Sequence, residues 1–296
     1  MFGTKKMRFI RNHIGILFLL LIFPLLLSCA FNKKMTVGAT ALLLEDVVKS
    51  SSRQSDLRVI QAGMPAYLML MDGMVEALPE NERLLIAAAQ GYASFASAFA
   101  EDQEYAVVLY GKAKNYALRS LVQRGLKNPS GSTFEDLEKG LESLGKADVP
   151  YLFWAATCWG SWIGSNLNSM EALAELPRVE LMMRRVLELD EAFYYGGPHL
   201  FMGMWYAIRP KVAGGNLDQS RKHFQSAIKF GQGKFLMAYI YYAEHYAKRA
   251  FDQKLFESVL QKVLDTPADV LPDLTLLNSV AHKKAKEMLG RVEEYF

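Results

Sequence analysis

Cysteine is scarce in this sequence, which contains only Cys29 and Cys158 among its 296 residues. A chain with so few thiols does not depend on a disulfide framework for its stability. Cys158 lies within the apolar and aromatic stretch YLFWAATCWGSW, and the sequence offers no obvious base as its catalytic partner. We therefore predict that Cys158 is a buried structural thiol.

Catalytic motifs are also missing. The sequence has no HExxH, no paired-cysteine motif, no GxSxG elbow and no P-loop. Its five histidines are scattered: His13, His199, His223, His245 and His282. We therefore predict that the protein is not an enzyme and that it has no metal site and no cofactor. An enzyme on a helical fold is the weakest of the hypotheses that the sequence leaves open.

A strong excess of one charge is lacking too. The whole chain carries a formal net charge of +3, but its first 28 residues hold four basic side chains and no acidic one. Removing those four from the 34 basic residues leaves 30 against 31 acidic residues, a net charge of −1. The apparent basicity is therefore no argument for nucleic-acid binding, and we predict none.

The amino-terminal segment has the layout of an export signal. A basic head is followed by the apolar run from Ile14 to Leu27. Because this run is shorter than the roughly 20 apolar residues of a membrane-spanning helix, a cleaved signal peptide is favoured over a retained signal anchor. Leu26, Leu27 and Ser28 then precede Cys29, a pattern that resembles the lipobox of bacterial lipoproteins.

The lipobox resemblance implies that Cys29 receives a diacylglyceryl group on its sulfur and becomes the first residue of the mature chain. Each buried CH₂ of an acyl chain contributes about 0.8 kcal/mol, so several chains anchor a protein stably. We predict a lipoprotein signal peptide over residues 1–28, an acylated amino terminus and tether over 29–40, and a single helical-repeat domain over 41–296. The resemblance leaves open whether the inner or the outer membrane holds the anchor.

The rest of the chain has a helical pattern. Apolar residues recur every three or four positions, and glycine, proline and asparagine clusters separate segments of about 10 to 20 residues. The small–aromatic–small spacing typical of the second helix of a tetratricopeptide repeat occurs in the sets Ala106, Tyr110, Ala113 and Ser220, Phe224, Ala227. A glycine at 203 would let two helices approach closely. The final stretch, LTLLNSVAHKKAKEMLGRVEEYF, predicts a terminal cap helix with a polar outer face.

These patterns predict an all-α fold of three to four degenerate tetratricopeptide-like helical hairpins, closed by the carboxyl-terminal cap helix. Each helix pair would bury its apolar face against its neighbours, as in other repeat proteins. The alternative is an irregular helical bundle in which the spacing is incidental.

Several segments together resemble one known family, the T component of tetratricopeptide-associated TRAP transporters. They are GMPAYLMLMDGMVEALPENERLLIAAAQGYASFA, EYAVVLYGKAKNYALRSL, GGPHLFMGMWYAIRPKVAGGNLDQSRKHFQSAIKF and LLNSVAHKKAKEMLGRVEEYF. They occur in the family's order, and the resemblance runs from about Leu43 to Phe296. It therefore covers nearly the whole mature chain.

The family resemblance implies a periplasmic, membrane-anchored accessory protein. Such a protein would associate with the extracytoplasmic solute-binding P component of a TRAP importer. The resemblance further implies a hydrophobic cavity through each protomer, assembly into a homo-oligomer such as a trimer, and a hydrophobic or organic-acid ligand. The alternative is a helical-repeat scaffold lipoprotein that serves envelope protein–protein interactions without a small-molecule role.

Candidate binding residues are mainly aromatic. On a concave repeat surface they would line a ligand channel, whereas the competing interpretation is core packing. The aromatic candidates are Trp154, Trp159, Trp162, Trp205 and Tyr206. Tyr67 and Asp72, in PAYLMLMDG, form a second candidate, because an acid among apolar residues needs a partner. The competing interpretation for Asp72 is a hydrogen bond between packed helices.

The segment RPKVAGGN forms the last candidate site. Loops on rigid scaffolds often carry function, so Arg209, Pro210, Gly214 and Gly215 are candidates for contact with the partner protein or with a ligand carboxylate. The competing interpretation is a glycine turn that only sets the angle between two helices.

Overall fold

The structure is a computed structural model that describes residues 46–296 except for the side chain of residue 213. The predicted signal peptide, Cys29 and the tether therefore lie outside the described residues. Across 46–296 the chain is helical and contains no strand, which confirms the all-α prediction. Residues 48–296 form one compact unit. None of the helices within residues 46–296 combines the length and the hydrophobicity that a membrane-spanning segment requires.

Thirteen α-helices have both ends within the described residues, and a helical stretch over 46–52 precedes them. They are α1 (Leu57–Ala77), α2 (Glu82–Phe99), α3 (Gln103–Gln123), α4 (Phe134–Glu142), α5 (Val149–Gly164), α6 (Met170–Ala174), α7 (Leu176–Asp190), α8 (Phe193–Ile208), α9 (Leu217–Phe230), α10 (Met237–Tyr241), α11 (Gln253–Asp265), α12 (Thr275–Leu289) and α13 (Val292–Tyr295). A π-helix, Tyr242–Ala247, directly follows α10.

Polar side chains define where most of the longer helices begin. The side chain of Asn81 accepts hydrogen bonds from the backbone amides of Arg83 and Leu84 at the start of α2, and the side chain of Asn216 accepts one from the backbone amide of Gln219 in α9. These caps satisfy amides that have no partner within the helix. The other side-chain caps are Asp56, Asp102, Thr133, Ser169 and Asp252. The turn residues in the sequence thus mark helix starts as well as breaks.

Helices that follow one another along the chain pack against one another. The order of contact is α1 with α2, α2 with α3, α3 with α5, α5 with α7, α7 with α8 and α8 with α9, after which α10, α11 and α12 complete the series. This arrangement is consistent with helical hairpins, and the repeat nature itself stays a prediction. The short helices α4 and α6 lie against α7 and α5.

The two ends of this helix series meet. Helix α12 contacts α1, and the Arg53 Nε atom lies 2.8 Å from Asp273 Oδ1. The sequence analysis expected α12 to have a polar outer face, and Lys283 and Lys286 are indeed exposed while Ala281 and Ala285 are buried. The contact between α12 and α1 was not foreseen. It turns the series of helices into a closed circuit.

The packing of α8 on α9 shows how small residues bring helices together. A Cβ atom on Gly203 would lie 3.0 Å from the ring of Phe224, so the glycine lets the buried phenyl ring rest against the backbone of α8. The Ser220 hydroxyl donates a 2.8 Å hydrogen bond to the Gly203 carbonyl oxygen. The repeat-like spacing at Ser220 and Phe224 therefore serves close helix packing.

The buried side chains form two clusters. The first is contributed mainly by helices α2 to α8, and Trp159 is among its fully buried members. The second lies mainly between α8 and α12 and includes Phe224 and Phe256. Tyr194, at the start of α8, packs against both clusters. The interior site described next lies at this seam.

Candidate functional site

Tyr194 is the first residue of a short left-handed stretch of backbone near the start of α8. Tyr194, Tyr195 and Gly196 have φ angles of 48°, 59° and 78°, so three consecutive residues adopt the left-handed conformation. Left-handed backbone costs a non-glycine residue about 1–2 kcal/mol, so the surrounding packing must hold it in place. At Gly196 a Cβ atom would lie 3.0 Å from the Ala227 Cα atom, which explains the glycine.

Aromatic rings surround the Tyr194 side chain. The ring of Trp154 meets it edge to face at a centroid distance of 5.1 Å, and the ring of Phe235 does so at 6.1 Å. Phe153 lies on another side at 5.7 Å. These rings come from α5 and from the loop before α10, so the wall around Tyr194 is apolar and is assembled from distant parts of the chain.

Three further hydroxyl groups approach from other helices. Tyr241, at the end of α10, is close enough to Tyr194 and to Tyr110 of α3 to raise the pKa of both phenols, although burial is the larger cause. The Ser97 hydroxyl of α2 is close to both Tyr110 and Tyr241 and lowers their pKa, whereas burial raises it. We call Ser97, Tyr110, Tyr194 and Tyr241 the hydroxyl cluster.

The hydroxyl cluster lies deep in the protein but is not closely packed. Burial raises the pKa of Tyr194 to about 12 and also raises the pKa of Tyr241, because surrounding protein disfavours a phenolate. Yet all four residues of the cluster are half-buried, not buried. Since close-packed interiors leave almost no accessible surface, deep side chains that retain some indicate a hollow between α2, α3, α8 and α10.

The backbone next to Tyr241 is unusual as well. Tyr241 is the last residue of α10, and the π-helix Tyr242–Ala247 begins immediately after it. π-Helical turns are rare and are frequent at functional sites. The left-handed run at Tyr194 and the π-helix at Tyr241 thus flank the hollow from two sides.

Two of the predicted channel residues surround a lysine. The Lys114 Nζ atom lies 3.8 Å from the ring centroid of Trp162, 4.8 Å from that of Trp159 and 2.6 Å from Glu175 Oε2. The Trp159 indole also donates a hydrogen bond to Glu175 Oε2. Burial lowers the pKa of Lys114, and Glu175 only partly opposes that effect. Trp159 is fully buried, and both indoles contact a cation of the chain itself.

The other predicted aromatic residues lie in different places. Trp154 is the candidate that contacts Tyr194 in the hollow. Trp205 is buried, and the Arg209 guanidinium lies 4.9 Å from its ring centroid. Among the described residues the Trp205 Nε1 atom has no hydrogen-bond partner. Tyr206 stacks on His223 at 5.5 Å. The structure therefore separates the five candidates into four locations.

Asp72 links the first three helices of the series. Its carboxylate accepts 2.7 Å hydrogen bonds from the hydroxyls of Tyr92 and Tyr116, and Lys112 Nζ lies 3.0 Å away. Burial raises the pKa of Asp72, but these three donors together outweigh it and leave that pKa below its ordinary value. The acid thus remains ionised and joins α1 to α2 and α3.

Tyr67 does not share the Asp72 hydrogen bonds. Its ring packs against α2, where a Cβ atom on Gly91 would lie 3.3 Å from it. Burial raises the pKa of Tyr67. Tyr67 and Asp72 are therefore neighbours along α1, but their side chains contact different partners and do not form one site.

The glycine loop between α8 and α9 folds back on itself. The Gly215 amide donates a 3.0 Å hydrogen bond to the Pro210 carbonyl oxygen, and Gly214 has a φ angle of 90°. A Cβ atom on Gly215 would lie only 1.8 Å from the Arg209 carbonyl oxygen. The Arg209 guanidinium lies 3.0 Å from Glu180 Oε2 of α7. The loop therefore has an evident structural role, and its role toward a partner stays a prediction.

Cys158 is fully buried, as predicted for a structural thiol. Its Sγ atom lies 3.9 Å from the Ala89 carbonyl oxygen, and burial raises its pKa to about 12, so it remains a thiol at neutral pH. Within residues 46–296 no group of three or more histidine, cysteine, aspartate or glutamate side chains is placed to hold a metal ion. His199 and His223 form a close pair, with their Nδ1 atoms 2.9 Å apart.

Sequence reasoning missed most of the hydroxyl cluster. Tyr194 stands in the string YYGGP, where two aromatic residues precede a Gly-Gly-Pro turn. The glycines and the proline of that string predict only a break between two helices. Two aromatic residues directly before a Gly-Gly-Pro turn are a signal of strained backbone, and strained backbone is frequent at functional sites. Tyr110 was singled out, but for its repeat-like spacing and not for its hydroxyl.

The family model of the TRAP transporter T-component matches residues 53–296. The chain therefore belongs to the TRAP transporter T-component family, as the sequence resemblance indicated. Membership implies an accessory role in TRAP transport. No curated protein matches the chain in sequence.

Proposed function

We propose that this protein is a lipid-anchored periplasmic accessory component of a TRAP-type uptake system. It binds the solute-binding P component and gives a hydrophobic or organic-acid ligand a passage on its way to the importer. The observation that carries this proposal is the family match over residues 53–296, which covers the entire helix series. Acyl chains on Cys29 hold the protein at the membrane surface.

The hollow at the hydroxyl cluster supports the ligand part of the proposal. Ligand sites are mostly apolar and contain a few placed polar groups, and the surroundings of Tyr194 have both features. Trp154 is the predicted aromatic residue that would contact a ligand there. Arg209 and Pro210, in the loop after α8, remain candidates for contact with the partner protein.

Co-purification from envelope extracts tests the proposal. Wild-type protein should recover a TRAP solute-binding protein, and light scattering of the purified protein should give the mass of a homo-oligomer such as a trimer. Cys29→Ser should stay uncleaved and lose its acyl chains, which mass spectrometry detects. Cys158→Ala is the matched control, because it removes the other thiol, which is fully buried, and should leave acylation unchanged.

Two results would count against the proposal. Recovery of envelope-assembly proteins alone would favour a scaffold lipoprotein without a small-molecule role. Normal acylation of Cys29→Ser would show that the lipid is attached elsewhere.

A further inference from the structure

Helix α1 is apolar on two faces. Its inner face is buried where the helix packs on α2 and α12. Its outer face is exposed and yet also apolar, since Val59, Met69 and Leu70 are exposed by 56%, 75% and 48%. No charged residue occurs in the sequence between Arg58 and Asp72. The outer face of a surface helix is ordinarily polar, so an apolar outer face indicates a surface that a partner covers.

The exposed apolar and small residues of α1 form one stripe, which we call the α1 stripe. Its members are Val59, Ala62, Gly63, Ala66, Met69, Leu70 and Gly73. Their spacing of three and four residues keeps them on one side of the helix over about 21 Å. A Cβ atom on Gly63 or Gly73 would meet nothing within 4 Å, so in the described part of the chain the stripe is open at both glycines.

The α1 stripe is symmetric in position about Ala66. Positions 59, 62 and 63 lie seven, four and three residues before Ala66, and positions 73, 70 and 69 lie at the same intervals after it. The sizes of the side chains are not symmetric. Ala62 and Gly63 on one side are small, whereas Met69 and Leu70 on the other side are large. A surface of this kind fits a second copy of itself that is rotated by 180°.

From this symmetry we infer that the α1 stripe is a docking surface for a second copy of this chain, related to the first by a two-fold axis at Ala66. The two α1 helices run antiparallel. Met69 of the partner subunit then lies against Ala62, and Leu70 of the partner subunit lies against Gly63. Because each large side chain meets a small one, the two helices reach the close end of the usual 8–10 Å range of axial distances.

Charges beside the α1 stripe favour the same orientation. The Arg58 side chain is 92% exposed, and Glu76, near the other end of α1, is exposed as well. In the antiparallel pair Arg58 lies beside Glu76 of the partner subunit, on the same side of the two helices. A parallel pair would instead bring each of these residues beside its own counterpart. Complementary charges of this kind fix the register of an interface.

The pair needs little area if both copies are held at one membrane. A single pair of helices is smaller than a standard protein interface, but tethering raises the effective concentration of one copy near the other. This step rests on the lipid anchor of the proposed function. The inference also narrows the proposed homo-oligomer to assemblies with an even number of chains, either two or six if trimers pair.

Crosslinking at the two-fold axis tests the inference in the acylated protein. Ala66→Cys places the two new thiols opposite each other, within the Cα separation of about 4.4–6.8 Å that a disulfide spans. Cys158 is fully buried and does not compete. Oxidation of envelope membranes with copper phenanthroline, followed by non-reducing electrophoresis, should give covalent dimers. The matched control is Glu76→Cys, whose thiols would lie about 30 Å apart, and Ala66→Cys should crosslink at least about tenfold faster.

A charge in the α1 stripe tests the same contact without a new thiol. Leu70→Asp should raise the dissociation constant of the pair at least about tenfold, because two carboxylates become buried between the helices. Val108→Asp is the matched control, since Val108 is an exposed apolar residue of α3. It should leave the mass measured by light scattering unchanged.

Three results would overturn the inference. They are equal crosslinking rates of the two cysteine variants, a wild-type mass with an odd number of chains such as a lone trimer, and an unchanged mass in Leu70→Asp. If the thiol of Ala66→Cys neither crosslinks nor reacts with a maleimide, the stripe is covered by something else, such as the apolar residues 42–44 of the same chain or lipid, and the inference is wrong. None of these results bears on the recovery of a TRAP solute-binding protein, which tests the proposed function separately.

Discussion

Replacement of Trp159 by alanine is expected to lower the free energy of unfolding by about 4 kcal/mol. The Trp159 side chain is fully buried in the first core cluster, so its removal leaves a cavity that the neighbouring helices cannot fill completely. The variant also removes the indole that donates to Glu175 and one of the two rings around Lys114. Because domains are stable by only about 5–15 kcal/mol, such a loss is readily measured by urea unfolding.

Met170→Ala provides the comparison for Trp159→Ala. The Met170 side chain is 75% exposed, so its truncation should change the unfolding free energy by no more than about 0.5 kcal/mol. The measurement also decides between the two interpretations that the sequence allowed for Trp159. A loss below about 1 kcal/mol in Trp159→Ala would mean that the indole borders open space and is not part of the core.

Replacement of Gly215 by alanine is expected to open the loop between α8 and α9 and to cost about 3 kcal/mol. The new Cβ atom would lie 1.8 Å from the Arg209 carbonyl oxygen, a backbone atom that cannot move aside without opening the turn. The hydrogen bond from the Gly215 amide to Pro210 would be lost, and so would the one from the Asn216 amide to Tyr206. Urea unfolding measures the cost, and amide hydrogen exchange at Asn216 reports the opening.

Gly63→Ala is the control that separates local geometry from a general glycine effect. Gly63 lies inside α1, and a Cβ atom there would meet nothing within 4 Å. Alanine at this position should stabilise the protein by about 0.5–1 kcal/mol, because it favours the helix. Wild-type stability and exchange in Gly215→Ala would show that the loop tolerates a side chain and that the turn described for residues 209–216 is wrong.

The local features of the fold follow from the sequence. The three- and four-residue spacing of apolar side chains predicts the helices, because that period places them on one face. The contact of Gly203 with Phe224 was foreseen in part, since a glycine in a repeat-like pattern indicates close helix approach. The burial of Cys158 follows from its apolar neighbours.

Contacts between distant segments could not be predicted in the same way. Asp72 was recognised as an acid that needs a partner, but Tyr116 lies 44 residues away and local spacing does not identify it. The contact of α12 with α1 joins the two ends of the helix series. The orientation of Tyr194 depends on a left-handed backbone that its neighbours impose. These features form only when the whole circuit of helices closes.

The hollow at the hydroxyl cluster is tested best by filling it. Ser97 is half-buried at the cluster, so Ser97→Phe would place a phenyl ring in the hollow. We expect native mass spectrometry to show one molecule of the apolar probe methyl decanoate per wild-type chain and at least about tenfold weaker binding in Ser97→Phe, because the added ring occupies the space beside Tyr110 and Tyr241. A wild-type chain that binds no methyl decanoate, or a folded Ser97→Phe chain that binds it as tightly as the wild type does, would contradict a ligand-accessible interior at the hydroxyl cluster.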